Sequence, residues 1–238
     1  MVRRGLAESQ EAAQGLIADG LVRVQGAIAD KGTRLVAPGD AVVVDGPPAR
    51  FVGRGGEKLD AALDAFEIDV NNKRAIDVGA STGGFTDCLL QRGAVSVVAL
   101  DVGHGQLDAR LRADSRVQVV ERVHVNDADA GALGAPFDVV VADLSFISLT
   151  SVADALVTRL AAPGAPIVAL VKPQFEVSKA IASKGKGVVR DPAERAAALN
   201  RVTRAFEACG ATMMGVVESP ITGAAGNVEF LLHAMRER

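Results

Sequence analysis

The sequence predicts an α/β protein in two parts: a small α+β unit, then a mostly parallel sheet with flanking helices whose last strand runs antiparallel. Three observations predict this. From residue 54 onward, β-type apolar runs alternate with stretches of helical periodicity. Before residue 46 the elements are short and separated by turn residues. The last two apolar runs, 212–218 and 228–233, are joined by only residues 219–227, too few for a crossover helix, so they form a hairpin and the last strand reverses.

In order, residues 8–18 carry Ala12, Ala13, Leu16 and Ile17 at helical spacing, and Gly20 ends that helix. Short β-like runs follow at 21–24, 34–36 and 41–44, and Asp45-Gly46-Pro47-Pro48 reads as a linker. The expected domains are 1–46 and 54–238, joined by 47–53. In the second part a helix at 56–66 places Leu59, Ala62, Leu63 and Phe66 on one face. Seven strands follow, at 74–78, 96–101, 117–121, 137–143, 166–172, 212–218 and 228–233, with helices near 84–92, 106–112, 147–160 and 192–209.

The composition narrows the function. Half the chain is hydrophobic (49%), enough for a sizeable core. A net charge of −3 disfavours a protein that coats nucleic acid nonspecifically, while leaving room for a local basic patch. The two cysteines form neither a metal-ligand spacing nor a disulfide framework, so no metal is expected and a reducing, cytoplasmic location is. No apolar run is long enough to span a bilayer, so no membrane partner is expected.

The loop Ile76-Asp77-Val78-Gly79-Ala80-Ser81-Thr82-Gly83-Gly84-Phe85 joins the first strand of the large sheet to its helix, where open α/β sheets bind nucleotides. Its glycines permit a tight turn and close backbone approach to a ligand. Asp101 ends the next strand, where a carboxylate can take two ribose hydroxyls, and Asp127 follows the third, where it could accept from an adenine amine. Candidate cofactor residues are therefore Asp77, Gly79, Ser81, Gly83, Gly84, Asp101 and Asp127. The spacing favours S-adenosylmethionine over NAD, although Asp101 alone does not separate them and Asp77 and Asp101 could simply cap turns.

Topology gathers four charged residues on the same sheet edge. Asp143 and Lys172 end the fourth and fifth strands, the reversed seventh strand begins there with Glu229, and the helix feeding the first strand starts there with Lys58. Methyl transfer to a ribose hydroxyl needs a base. A lysine serves once it has shed its proton, which burial and a neighbouring cation favour. Lys172 is the expected base, Lys58 would favour its neutral form or hold the nucleophile, and Asp143 and Glu229 would orient both. For any one of these residues alone, a surface salt bridge is the competing reading.

Gly79-Ala80-Ser81-Thr82-Gly83-Gly84-Phe85-Thr86-Asp87, Asp101-Val102-Gly103-His104-Gly105-Gln106-Leu107, Ala142-Asp143-Leu144-Ser145-Phe146-Ile147-Ser148, Val171-Lys172-Pro173-Gln174-Phe175-Glu176 and Gly226-Asn227-Val228-Glu229-Phe230 together resemble the TlyA family over nearly the whole chain. The resemblance implies a Rossmann-like methyltransferase domain and S-adenosylmethionine-dependent 2′-O-methylation of cytidine in ribosomal RNA or ribosomal subunits. The catalytic part is similar to the wider FtsJ-like group, whose Lys-Asp-Lys-Glu tetrad falls on Lys58, Asp143, Lys172 and Glu229. His104 stands where the family usually has an aromatic residue.

Residues 1–45 resemble the S-four-type RNA-binding domain this family carries in front, with a first helix that looks truncated, which implies RNA contacts from Arg3, Arg4 and Arg23. Six basic residues against six acids in 1–50 make that footprint weak. Lys184 and Lys186, with Lys179 and Arg190, follow the proposed base and could meet RNA phosphates or only water. Phe146 and Phe175 could flank an extruded nucleotide or pack in the core. The rival activities are methylation of a base nitrogen, for which Asp143-Leu144-Ser145-Phe146 lacks the prolines usual after that strand, and membrane damage of the kind the family's hemolysin label suggests.

Overall fold

The computed structural model describes residues 1–7, 9–29, 31–45 and 50–238. Glu8, Asp30 and the linker residues Gly46, Pro47, Pro48 and Ala49 lie outside the described residues. The chain divides into two compact units, Met1–Arg50 and Phe51–Arg238.

The first unit opens with helix α1 (Gln10–Ala18), whose end is closed by Ser9: its hydroxyl accepts from the Ala12 N–H at 3.0 Å. Strands β1 (Val22–Val24), β2 (Ala27–Ile28) and β3 (Val42–Val44) form an antiparallel sheet in the order β2-β1-β3. Gln25 and Gly26 both have positive φ, 52° and 80°, the geometry of a two-residue hairpin turn. That turn pairs residues 27 and 28 directly with β1 and fills one of its edges, while β3 fills the other. The run at 34–36 forms no strand, and Leu35 is 96% exposed.

The second unit begins with Phe51, buried against α2 (Gly55–Ala65). It continues with β4 (Arg74–Val78), α3 (Gly84–Gln91), β5 (Ser96–Asp101), α4 (Ala109–Ala113), β6 (Val117–Glu121) and β7 (Val139–Ala142). A π-helical stretch, Ala155–Leu160, leads to β8 (Pro166–Val171), α5 (Pro173–Glu176), α6 (Lys179–Lys184), α7 (Pro192–Ala208), β9 (Ala211–Glu218) and β10 (Phe230–Arg236). The sheet order is β6-β5-β4-β7-β8-β10-β9. The strands from β6 to β8 run parallel, and β10 is antiparallel to both its neighbours. The last strand thus inserts between β8 and β9, a position that hairpin length does not specify.

Central strands are apolar on both sides because helices cover both faces. One face packs Ile76, Val140, Leu156 and Phe206, and the other packs Leu59, Leu89, Val139 and Leu231. Asp191 accepts from the Ala193 N–H at the start of α7, where Pro192 needs no N–H partner.

A carboxylate sits inside this packing. Asp77, near the end of β4, is wholly buried, and its Oδ2 accepts from the Thr86 hydroxyl of α3 at 2.7 Å. Its Oδ1 is also buried and has no hydrogen-bond partner among the described residues. Burial pushes the Asp77 carboxyl up to about 7, with Asp143 and Asp101 adding to the rise and the bonds from Thr86 opposing it. The folded protein thus keeps the proton where the unfolded chain has lost it, so this stability is complete below about pH 4 and is lost as pH rises toward 7. Asp77→Asn keeps an acceptor for Thr86 and removes the titration. The difference in melting temperature between variant and wild type should move in the variant's favour from pH 4 to pH 7. A difference that stays constant over that range would show that Asp77 is ionised in the fold.

Candidate active site

The C-terminal edge of the parallel strands carries a cavity of about 560 Å³. The ends of β4 and β5 supply Val78, Gly79, Leu100 and Asp101, the segment after β6 supplies Val123 and Val125, and the segment after β7 supplies Asp143, Leu144, Ser145 and Phe146. Asp101 organises the polar end. Its Oδ2 accepts from the Ser81 N–H at 2.8 Å and its Oδ1 from the Gly103 N–H at 2.6 Å. A carboxylate oxygen has two lone pairs, so one on each remains for a ligand. Gln106 also lines the cavity and accepts from the Ser81 hydroxyl at 3.3 Å.

Of the expected cofactor residues, Gly79, Ser81 and Asp101 line this cavity. Gly79 has φ +88°, and a Cβ there would sit 2.5 Å from the Asp143 carbonyl oxygen, so only glycine lets the loop close on the end of β7. Gly83 and Gly84 serve packing: a Cβ at Gly83 would meet Leu111 at 2.2 Å, and one at Gly84 would meet the Gly56 backbone of α2 at 2.9 Å. Asp77 lies behind the loop, bound to Thr86, and Asp127 is exposed and is not among the residues lining the cavity.

The four charged residues form two ion pairs. Lys172 Nζ lies 2.5 Å from Asp143 Oδ1, and Lys58 Nζ lies 2.6 Å from Glu229 Oε2. Lys58 and Glu229 are buried, with Lys172 and Asp143 partly so. The register explains the meeting: Phe230 pairs with Val171, so one further step brings Glu229 opposite Lys172. Asp143 belongs both to the lysine pair and to the cavity wall.

Neighbouring residues that periodicity does not reveal tie this cluster together. The Lys172 ammonium donates to the Ser145 hydroxyl at 2.9 Å. The Gln174 amide donates to Glu229 Oε1 at 3.2 Å. Glu176, buried in α5, accepts from the Ser148 hydroxyl at 2.5 Å and the Leu149 N–H at 2.8 Å, and so links the segments that follow β7 and β8. Burial raises the Glu176 carboxyl, against the hydrogen bonds from Ser148 and Leu149. Their sequence signal is only adjacency, since Ser145, Gln174 and Glu176 all stand within four residues of Asp143 or Lys172.

Phe146, 91% exposed with φ +65°, stands beside Phe175, the ring centroids 5.1 Å apart. Lys184 and Lys186 are exposed on and just after α6. The segment after them is moored by buried Asn227, which accepts from the Val189 N–H at 2.9 Å and donates to the Gly187 carbonyl at 2.8 Å. In the N-terminal unit Arg3 is exposed, while the Arg4 guanidinium donates to the carbonyls of Ala37, Pro38 and Asp40 and Arg23 pairs with Asp45. Among the described residues no cluster of side chains is suited to a metal ion, and no helix is long and apolar enough to cross a membrane.

Comparison with known proteins matches this geometry to a family. The profile of the FtsJ-like methyltransferases matches residues 51–236, and that of the S4 domain matches residues 1–42. The 16S/23S rRNA (cytidine-2′-O)-methyltransferase TlyA of Mycobacterium tuberculosis is 49% identical over 98% of this chain and 86% of its own length. Hemolysin A of Brachyspira hyodysenteriae is 41% identical over 96% of this chain and 95% of its own. A solved structure from Streptococcus thermophilus, also given the name hemolysin, superposes with a TM-score of 0.83 at 38% identity, covering 99% of this chain and 86% of that one. With both domains matched in order and near-half identity along its length, the chain belongs to the FtsJ-like methyltransferases and, within them, to the TlyA family.

Proposed function

We propose that this protein methylates a ribose 2′-hydroxyl of ribosomal RNA, on cytidine, with S-adenosylmethionine as donor and Lys172 as general base. One observation carries the reading: Asp143, which lines the cavity, is ion-paired to Lys172, so the lysine we assign as base stands at the cavity wall. The name of the M. tuberculosis relative supports ribosomal RNA and cytidine as the target.

The cavity suits the donor. Its volume falls in the range of about 300–1,000 Å³ usual for small-molecule sites, apolar side chains form most of its walls, and Asp101 and Ser81 offer polar groups at one end. When bound, S-adenosylmethionine supplies an electrophilic methyl group. Asp101 would hold the ribose hydroxyls, and Gly79 and Ser81 would give the backbone room to approach. Lys58, fixed on Glu229, donates to the attacking oxygen, and neutral Lys172 takes the hydroxyl proton as attack proceeds. Phe146 and Phe175 would flank the base of the target nucleotide once it leaves its stack. The N-terminal unit and Lys184 and Lys186 would add phosphate contacts. Of the three arginines assigned to RNA contact in the N-terminal unit, Arg3 is exposed, while Arg4 and Arg23 bind their own chain.

Purified protein should bind S-adenosylmethionine in calorimetry without RNA, and Asp101→Ala should abolish that binding. Saturable NAD binding in its place would sink the cofactor assignment.

Lys172→Ala should lower single-turnover methylation by about 10²–10⁴-fold with cofactor affinity unchanged. Lys172→Arg should fail nearly as badly, because guanidinium keeps its proton. Mapping of 2′-O-methyl positions on ribosomal RNA supplies the readout. A chemical step for Lys172→Arg within a few-fold of wild type would eliminate lysine base catalysis, and a methyl found on a base nitrogen would replace the ribose assignment.

Replacing Lys184 and Lys186 together by alanine should weaken RNA binding and reduce the slope of log affinity against log salt by about 2, roughly 0.9 per lost phosphate contact. An unchanged slope would place both side chains in solvent in the complex.

A further inference from the structure

We infer that Gln174 is a positioning residue of this site: its amide holds Glu229, and through Glu229 it sets where Lys58 stands relative to Lys172. The inference rests on the proposal that Lys58 donates to the attacking oxygen. Lys58 Nζ donates to Glu229 Oε2 at 2.6 Å, and that carboxylate is its one hydrogen-bond partner among the described residues. An ammonium has three N–H donors, so two are left for a substrate. A cation held by a single bond is placed only as well as its acceptor is. The orientation of the Glu229 carboxylate therefore decides the position of Lys58.

A carboxylate turns about its last carbon–carbon bond unless both oxygens are engaged. In Glu229 both are: Lys58 takes Oε2, and the Gln174 amide donates to Oε1 at 3.2 Å. A carboxylate only accepts, so the amide presents its NH2 group to it. The oxygen of that amide, turned the other way, is buried and has no hydrogen-bond partner among the described residues. The side chain is thus placed for its donor and not for its acceptor. Gly223 packs against the same Oε1, where a Cβ would overlap the carboxylate. Glu229 is 2% exposed, so an Oε1 that lost Gln174 would be left unsatisfied where solvent has little access.

The residue type suits this task. A cation at position 174 would compete with Lys58 for Glu229, and a carboxylate would repel Glu229. A neutral amide orients Glu229 and leaves its charge to Lys58. The place of Gln174 in the chain gives the bond its consequence. Lys172 stands at the N-cap of α5 and Gln174 is the second residue of that helix, so the proposed base and the amide share one turn. Lys172, Gln174, Glu229 and Lys58 form a continuous path from one lysine to the other, a constraint on their spacing that a reaction sensitive to geometry rewards. Gln174 is not among the residues that line the cavity, and it exchanges no atom with the substrate.

The test measures methylation of ribosomal RNA by Gln174→Met, Lys58→Ala and the double variant. Methionine keeps the length of the side chain and removes the donor. Gln174→Met should lower kcat about tenfold, the scale of one hydrogen bond to a charged group, with KM for RNA and affinity for S-adenosylhomocysteine unchanged. In the Lys58→Ala background the same substitution should change the rate by less than about twofold, because the side chain it positions is gone. Gln174→Asn, which draws the amide back by one methylene, supplies a second variant should the first melt well below wild type, and it should show the same loss in the same background only. An unchanged kcat in both Gln174 variants beside a slow Lys58→Ala would overturn the role of Gln174 and leave that of Lys58 in place. A loss that recurs in full in the Lys58→Ala background would make Gln174 a packing residue of α5, and a loss confined to KM would make it an RNA contact. A Lys58→Ala enzyme as fast as wild type would overturn the role of Lys58 and the inference with it.

Discussion

The reversal of β10 is the constraint on which the site depends. In a parallel sheet the carboxyl ends of the strands share one edge, and a strand that begins at that edge must run backwards. β10 does so between β8 and β9, and its register with β8 brings Glu229 opposite Lys172. Glu229 in turn holds Lys58, which α2 presents from the start of the same unit. Were β10 parallel, its first residue would lie at the far edge and Lys58 would be a buried cation without a counter-charge. An unpaired charge at such depth costs several kcal/mol, which folding does not tolerate lightly. Register, and not local propensity, therefore decides that these charges are paired.

What was legible in the sequence follows from how local each signal is. β4, β5 and β6 were bounded correctly because each is a short run rich in Val, Ile or Leu that turns interrupt on either side. The α7 helix was legible from Asp191-Pro192 at its start. The run at 34–36 failed as a strand because pairing is a competition: the Gln25-Gly26 turn had already given the edge of β1 to Ala27 and Ile28. The short helices α5 and α6 went unseen, since one or two turns carry too little periodicity. The helix read at 147–160 is broken into a short turn and a π-helical stretch, a distinction apolar spacing does not carry.

The site shows the same division. Lys58, Asp143, Lys172 and Glu229 could be gathered from strand order alone, because each sits at the end of an element. Ser145, Gln174 and Glu176 could not, because side-chain hydrogen bonds between loops leave no trace in spacing. The cofactor loop divides by φ and by contact. Gly79 stands at the cavity, whereas Gly83 and Gly84 are glycines because Leu111 and α2 press against them. A glycine-rich loop thus mixes residues that make room for a ligand with residues that make room for the protein.

Asp143 is where the two halves of the chemistry meet. Its backbone carbonyl closes on Gly79, its side chain lines the nucleotide cavity, and its carboxylate holds Lys172. The cavity and Lys172 are therefore displaced together by any movement of the end of β7, so their separation is insulated from small shifts of the sheet. Glu176 extends that coupling by fastening the segment after β7 to the turn that follows Lys172. A displacement reaction requires nucleophile, methyl carbon and leaving group in line, and rigid elements hold such geometry better than loops. Here two loops are bonded to each other as well as to their strands, and buried hydrogen bonds cluster at this edge of an otherwise apolar sheet.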